Sequence, residues 1–349
     1  MNAVEIATRA IGPGHPCCVI AEAGVNHNGD LALAKRLIDA AVEAGADAVK
    51  FQTFRADRLA SAAAPKAAYQ LRATDRRESQ REMLRRLELS EPAHRALMAH
   101  CRQRRILFLS SAFEEVSADL LHRLSVRAFK IPSGEITNLP FLGHVARMGR
   151  PMIVSTGMAT LEEVEQAMQT IRQAKNDQVI LLHCVSDYPA DPSDANLRAM
   201  HTMAEAFHVP VGYSDHTPGI EVALAAVALG ACVIEKHLTL GRQLDGPDHH
   251  ASIEPQEFVA LVKGIRTVEA ALGDGIKRPS ASEHDVAAVA RKSVVAAKDI
   301  PTGTRLTAEL LAIQRPGTGI PPSMLAQVIG RTAVNDIPAE TVLTMEMLK

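Results

Sequence analysis

The stretch Val211-Gly212-Tyr213-Ser214-Asp215-His216-Thr217, taken with Val233-Ile234-Glu235-Lys236-His237, decides how this 349-residue chain is organised. Each is a short apolar run ending in polar groups, and Ala223 to Ala231 between them reads as a helix. The unit is strand, crossover helix, strand, with a histidine at the exit of both strands. Two neutral imidazoles at the same end of adjacent parallel strands can share a divalent cation. A histidine at a strand end is more often satisfied by a backbone group, and for either residue alone that reading is preferred. The matched positions of His216 and His237, with Asp215, Glu235 and Asp248 nearby, favour the metal.

Working outward, the same alternation fills most of the chain. Val4 to Ile11 and Gly12-Pro13-Gly14 suggest a short hairpin entering a buried strand at Cys18. Asp30 is placed to cap a helix over 31–44, and Ala48-Val49-Lys50-Phe51-Gln52 is the next buried strand. Lys50 within that apolar run demands an anionic partner, because an unpaired buried ammonium is costly. From Thr53 to Ser90 the pattern breaks into a long charged insertion, of the kind that forms lids or substrate loops. Strands then recur at 106–110, 128–132, 152–155, 179–184, 210–214 and 232–237, each followed by an amphipathic helix. Thr160-Leu161-Glu162-Glu163 carries the capping-box pattern for the helix over 161–174. Eight strand–helix units argue for a (β/α)8 barrel. The lack of GxGxxG after the first strand removes the main support for a dinucleotide fold.

Beyond Gly273 the pattern changes. Gly273 to Ser282 reads as a linker. Asp299-Ile300-Pro301-Thr302 through Leu311 then matches Asp336-Ile337-Pro338-Ala339 through Leu348 at a constant offset. Such an internal repeat suggests a small, mostly β domain with pseudo-twofold character. The expected boundaries are a barrel over 1–275, a linker over 276–290 and the small domain over 291–349.

Composition narrows the function. A formal charge of −2 and 3% aromatic residues give no electrostatic or stacking case for nucleic acid. No apolar stretch approaches the ~20 residues of a membrane span, and no signal peptide is evident. Cys17, Cys18, Cys101, Cys184 and Cys232 are odd in number and lack CxxC spacing, as expected for free thiols in a reducing cytoplasm.

Active sites of (β/α)8 barrels lie at the C-terminal strand ends. Those ends supply Glu22, Lys50, Ser110-Ser111, Lys130, Ser133-Gly134-Glu135, Ser155-Thr156-Gly157, Ser186, Tyr188, Ser214-Asp215-His216 and Glu235-Lys236-His237. Ser-Thr-Gly alone is an ordinary turn, and each lysine has a structural alternative as the partner of Glu22 or Glu135. Together they favour a doubly anionic ligand beside a metal. Residue chemistry leads to a metal-assisted reaction on a small anionic substrate, and a metal-dependent hydrolase fits it equally.

The motifs Ala21-Glu22-Ala23-Gly24-Val25-Asn26-His27-Asn28-Gly29-Asp30, Phe129-Lys130-Ile131-Pro132-Ser133-Gly134-Glu135, Gly212-Tyr213-Ser214-Asp215-His216, Glu235-Lys236-His237 and Arg315-Pro316-Gly317-Thr318-Gly319 resemble the sialic acid synthase family. The resemblance spans nearly the whole chain. It implies a (β/α)8 domain followed by an antifreeze-like (SAF) domain of β-clip type. It also implies a phosphoenolpyruvate-dependent synthase that condenses this donor with the open-chain aldehyde of an N-acylated mannosamine-type sugar, releasing phosphate. N-acetylmannosamine, giving N-acetylneuraminate, is the expected acceptor. The alternative is 2,4-diacetamido-2,4,6-trideoxymannose, giving N,N'-diacetyllegionaminate.

By the same resemblance His216 and His237 hold a divalent metal, Mn2+ or Mg2+. Glu22, Glu135, Lys50 and Lys130 form the expected catalytic set. Ser133, Ser155, Ser186, Tyr188, Ser214, Asp248 and Arg315 form the expected substrate-binding set. Arg315 matches a residue that the SAF domain delivers to the partner subunit, which implies a swapped homodimer in the cytoplasm acting on unphosphorylated sugar. Two departures, Ser186 for Asn and Ser111-Ala112-Phe113 for Thr-Pro-Phe, bear on the sugar contacts. A non-catalytic ice- or sugar-binding protein is a competing reading from the SAF resemblance alone, and the intact barrel rim argues against it.

Overall fold

The computed structural model describes residues 2–75 and 77–349, and these fall into two compact units, Met1–Gly273 and Asp274–Lys349. In the first, eight parallel strands close a barrel: β1 Cys18–Gly24, β2 Ala48–Thr53, β3 Leu107–Ala112, β4 Phe129–Ile131, β5 Met152–Ser155, β6 Val179–Cys184, β7 Val211–Asp215 and β8 Val233–His237. Neighbours in sequence are neighbours in the barrel, and β8 closes it against β1 with His237 opposite Glu22. The helices that follow are α1 Leu31–Glu43, α2 Glu91–Arg104, α3 Glu115–Arg123, α4 Leu139–Ala146, α5 Leu161–Gln173, α6 Ala199–Phe207, α7 Glu221–Ala228 and α8 Pro255–Leu272. Asp30 caps α1 by accepting from the Ala32 amide, and Thr160 with Glu163 forms the capping box of α5. No helix among the described residues is long and apolar enough to cross a membrane.

Strand alternation divides the core in two. Val19, Ala21, Val49, Phe51, Phe129, Ile131, Val154, Leu181 and Tyr213 face the helices. Ile20, Ala48, Leu109, Ala128, Ile153, Ile180, Leu182 and Val233 fill the lower barrel, joined by Val4, Ile6 and Ile11. The last three belong to a hairpin that closes within the alternating run, Val4–Ile6 pairing with Arg9–Ile11, with Ala7 at φ 57° in the turn. The hairpin thus plugs the bottom of the barrel and leaves the upper end for polar groups. Gly212 lets β7 sit tightly between its neighbours: a Cβ there would lie 2.5 Å from the Val233 carbonyl oxygen and 2.8 Å from a Leu182 methyl.

The insertion after β2 carries three short helices, Ala56–Leu59, Ala68–Ala73 and Gln80–Leu87, the last capped by Ser79 and Glu82. Its own apolar cluster contains Val25, Phe54, Met83 and Leu87, with Leu59, Leu84 and Phe113 packed against them. Lys66 is buried there, and its ammonium is satisfied by Thr74 Oγ1, the Asp75 carbonyl and Glu78 at 2.7–2.9 Å.

The second unit pairs β9 Ser293–Ala296 with β10 Leu311–Gln314 around a core that includes Val294, Ile300, Leu306, Ile337, Leu343 and Leu348. Its two repeats are structurally reciprocal. Ile300 and Ile337 exchange backbone hydrogen bonds at 2.8 Å each. Asp336 accepts from the Thr302 amide at 2.7 Å, and Asp299 accepts from the Ala339 amide at 2.8 Å. The stretch read as a linker holds a helix, α9 Glu283–Ala290, within this unit.

Candidate active site

Along β7 and β8, alternate residues face opposite sides. Ser214, His216, Glu235 and His237 line a cavity of about 440 Å³ at the C-terminal end of the barrel. Asp215 and Lys236 face the other way and pair at 2.6 Å, with Lys236 also donating to the Thr217 carbonyl. Asp215, grouped with the metal-side acids in the sequence, therefore belongs to a buried ion pair behind the strand. Glu22, Lys50, Lys130, Ser133, Glu135, Ser155, Ser186, Tyr188 and Asp248 line the same cavity. Arg315 belongs to the second unit, where its Nε donates to the Ala290 carbonyl at 3.0 Å.

The cavity floor is a chain of buried charges. Lys50 Nζ lies 3.0 Å from Glu22 and 3.3 Å from Glu235, and Lys130 Nζ lies 3.6 Å from Glu235. Lys50 also donates to Ser111, Lys130 to Ser155, and Ser214 to Glu235. Burial would lower Lys50, but Glu22 and Glu235 outweigh it and raise its pKa. Lys130 is lowered, by burial first, with Glu235 opposing and Lys50 adding. Burial would raise Glu235, but Lys130 and Lys50 hold it down at about 2. Glu22 goes the other way: burial, with Glu235 adding, outweighs Lys50 and raises it. A carboxylate held down beside one held up separates a fixed charge from a proton carrier. The structural alternative for Lys50, its pairing with Glu22, is thus formed. That of Lys130 with Glu135 is not, because Glu135 accepts from Asn138 Nδ2 at 2.7 Å and is raised by partial burial.

The imidazoles stand beside this chain. His216 Nδ1 lies 2.5 Å from the Val185 carbonyl, which can only accept, so the proton sits on Nδ1 and the lone pair on Nε2. The two rings are 5.5 Å apart, centroid to centroid. Burial lowers His216 to about 4 and His237 well below the usual value, so both are neutral at pH 7. His237 Nδ1, Glu235 Oε2 and Ser186 Oγ are buried without a hydrogen-bond partner among the described residues, while Glu22 Oε2 is the oxygen that meets the Lys50 ammonium at 3.0 Å. Asp248 is raised to about 6 by burial, against a smaller pull from Lys50. Two neutral nitrogens with unsatisfied oxygens nearby fit a hard divalent cation that keeps several positions for water or substrate. Among the described residues no three His, Cys, Asp or Glu side chains group closely enough to hold an ion unaided. Tyr188 lies over His216 at 4.3 Å and edge-on to His237 at 5.6 Å, and Tyr69 from the insertion covers Tyr188 at 5.1 Å.

Comparison with known proteins places this geometry. The NeuB family model matches residues 37–277, and the SAF domain model matches residues 291–349. The chain belongs to the NeuB family. It is 48% identical over 342 residues to the N,N'-diacetyllegionaminic acid synthase of Legionella pneumophila, covering 97% of this chain and 96% of that one. A protein of the same name from Campylobacter jejuni is 49% identical, with 91% and 96% covered. The N-acetylneuraminate-9-phosphate synthase of Homo sapiens is 37% identical, with 97% and 95% covered. The solved N-acetylneuraminic acid (sialic acid) synthetase from Leptospira borgpetersenii, in complex with citrate, superposes with a TM-score of 0.73 at 36% identity, covering 82% and 95%.

In this NeuB-family barrel, several cavity residues lie outside the catalytic and substrate-binding sets expected from the sequence, although Glu235 and Ser111 were named on the rim. Glu235 and Gln52 were findable, since each lies two residues from an assigned inward group on its strand. Ser111 follows from register, standing opposite Lys130. Tyr69 and Gln70 come from a segment without periodicity, and nothing in their local pattern points inward. Gly157 marks a close approach: a Cβ there would lie 2.2 Å from Ser186 Oγ and 2.8 Å from Ser133 Oγ, and its amide donates to Ser133 Oγ.

Proposed function

We propose that this enzyme is a phosphoenolpyruvate-dependent nonulosonic acid synthase that condenses this donor with 2,4-diacetamido-2,4,6-trideoxymannose, giving N,N'-diacetyllegionaminate and phosphate. The observation that carries the acceptor is the near-full-length match, at 48% and 49% identity, to two synthases named for that product. The expectation of N-acetylmannosamine takes second place, because the N-acetylneuraminate-9-phosphate synthase match is 37%.

In this reading Lys50 and Lys130, with Ser133, Ser155 and Ser214, hold the carboxylate and phosphate of phosphoenolpyruvate. His216 and His237 hold Mn2+ or Mg2+, which when bound supplies Lewis-acid polarisation of the sugar aldehyde. C3 of phosphoenolpyruvate bonds to the aldehyde carbon, water adds at C2, and the C2–O bond to phosphate breaks. Glu22, with its raised pKa, gives a proton to the new alkoxide, and Glu135 takes one from the attacking water. Tyr188 and Tyr69 cover the imidazoles and exclude bulk water. Asp248 and Ser186 bind the sugar, and Arg315 completes the site of the partner subunit in a swapped homodimer.

Phosphate release measured with a panel of aldoses tests the reading. Release should require both phosphoenolpyruvate and sugar, stop on chelation and be fastest with the diacetamido sugar. Equal release without sugar would mark a phosphatase, and faster turnover of N-acetylmannosamine would restore the second reading. A preference for a 6-phosphorylated sugar would also overturn the proposal, since the 6-deoxy acceptor has no hydroxyl there to carry phosphate.

A further inference from the structure

The cavity wall formed by the insertion together with Phe113 has a different character from the floor. Leu59, Leu84 and Phe113 line the cavity and are half-buried, backed by the buried Phe54, Met83 and Leu87. Phe113 is fixed edge-on against Phe54 at 5.8 Å. These side chains leave apolar surface facing a space whose other end is lysine, glutamate and histidine. Gln70 and Gln80 line the same cavity; Gln70 Oε1 already accepts from the Ala67 amide at 3.0 Å and from Gln80 Nε2 at 3.4 Å, and Gln70 Nε2 reaches Tyr69 Oη at 3.4 Å, so the Gln80 carbonyl oxygen is the group left for a ligand.

An open-chain sugar whose aldehyde lies beside the imidazoles and lysines directs its last carbon away from them. We infer that the insertion, with Phe113 beside it, reads this far end of the acceptor: Leu59, Leu84 and Phe113 take a C6 methyl, and the Gln80 carbonyl oxygen accepts from the amide of a 4-acetamido group. This inference rests on the acceptor reading given above. A hydroxymethyl group at C6 loses water against the apolar wall and finds no partner there. An apolar pocket discriminates against an added hydroxyl only modestly, at most about 10²-fold. The preference should therefore be roughly 10- to 100-fold in kcat/KM and carried mainly by KM.

The test compares the 6-deoxy diacetamido sugar with its 6-hydroxy analogue, using saturating phosphoenolpyruvate and the metal-loaded enzyme. Wild type should favour the 6-deoxy sugar. Leu84→Asn should erode that preference by raising KM for the 6-deoxy sugar, while Leu84→Met should retain it. Near-ultraviolet circular dichroism establishes that each variant is folded. Equal kcat/KM for the two sugars in wild type overturns the inference without any variant. So does an unchanged preference in folded Leu84→Asn. If neither diacetamido sugar reacts and N-acetylmannosamine does, the acceptor reading fails separately. The 6-deoxy analogue of N-acetylmannosamine then puts the same question to the wall, and a preference for it sustains the methyl-binding role.

Discussion

Asp248 is a buried carboxyl whose oxygens find no cation within ion-pairing distance among the described residues, and burial raises it from 3.8 to about 6. The folded protein therefore keeps its proton up to about pH 6, whereas the unfolded chain loses it near 3.8. The contribution to stability is full below the unfolded value and is lost as pH rises through the folded one. Metal-free Asp248→Asn, which cannot ionise, should be more stable than wild type at pH 8 by about 3 kcal/mol and lose most of that advantage near pH 4. Urea unfolding at the two pH values checks this, and a pH-independent difference would assign the effect to packing. Asp215 provides the contrast. Its pair with Lys236 lies behind β7 and is almost fully buried. Asp215→Asn leaves an uncompensated ammonium and should cost about 3–5 kcal/mol, with metal binding retained in the folded protein. Urea unfolding measures the first effect, and titration calorimetry of Mn2+ into the folded variant measures the second. This distinction was legible in the period-two alternation of Ser214-Asp215-His216, which puts Asp215 opposite the two cavity residues. Proximity to His216 in sequence had instead grouped it with the metal-side acids. The balance of the floor was less legible, because whether Glu22 or Glu235 carries the proton depends on how two lysines from other strands are shared.

At the scale of elements, the strand–helix units could be read because buried parallel strands give continuous apolar runs and their helices show one apolar stripe. The insertion could be located but its role could not be read, since its packing uses Val25 and Phe113 from outside it. The helix Glu283–Ala290 was hidden for a different reason. It follows a Gly-, Pro- and Ser-rich stretch, and Val286 and Val289 are 61% and 68% exposed, so no buried stripe announces it. The repeat of the second unit was visible as matching residues, and the structure gives the match a physical meaning. Asp299 and Asp336 each accept an amide of the opposite repeat, at Ala339 and Thr302 respectively. Asp336 also accepts from the Thr302 hydroxyl. Asp336→Ala should accelerate hydrogen exchange at the Thr302 amide with little effect at Ala339, and Asp299→Ala should do the reverse. Amide exchange by NMR on the full chain resolves the two. Equal acceleration at both amides in either variant would mean that the turns open together, with no local capping by each aspartate.

For the molecule as a whole, the barrel contains the two neutral imidazoles, the lysines and the carboxyl of raised pKa, while Arg315 sits on the second unit. Its guanidinium is exposed and, among the described residues, makes one hydrogen bond, from Nε to the Ala290 carbonyl, at the end of helix Glu283–Ala290. That bond fixes the side chain's stem and leaves the NH2 groups for a planar, multiple-donor contact to a carboxylate or an acyl oxygen. An exposed arginine is ordinarily just solvated, so the proposed service to a partner subunit needs a test that solvation alone would fail. Arg315→Ala should leave metal binding intact and cost about 1.5–3 kcal/mol of transition-state stabilisation, roughly 10- to 150-fold in kcat/KM. The decisive experiment mixes Arg315→Ala subunits with His216→Ala subunits, each severely impaired alone. If the arginine serves the neighbouring barrel, a mixed dimer places the intact His216 barrel beside the intact Arg315 unit, and one of its two sites is whole. Activity should then return in proportion to the mixed-dimer population, up to half that of wild type for each mixed dimer. If the arginine serves its own barrel, every site in the mixture carries one lesion, and activity stays at the level of the separate variants even when subunit exchange is demonstrated by mass.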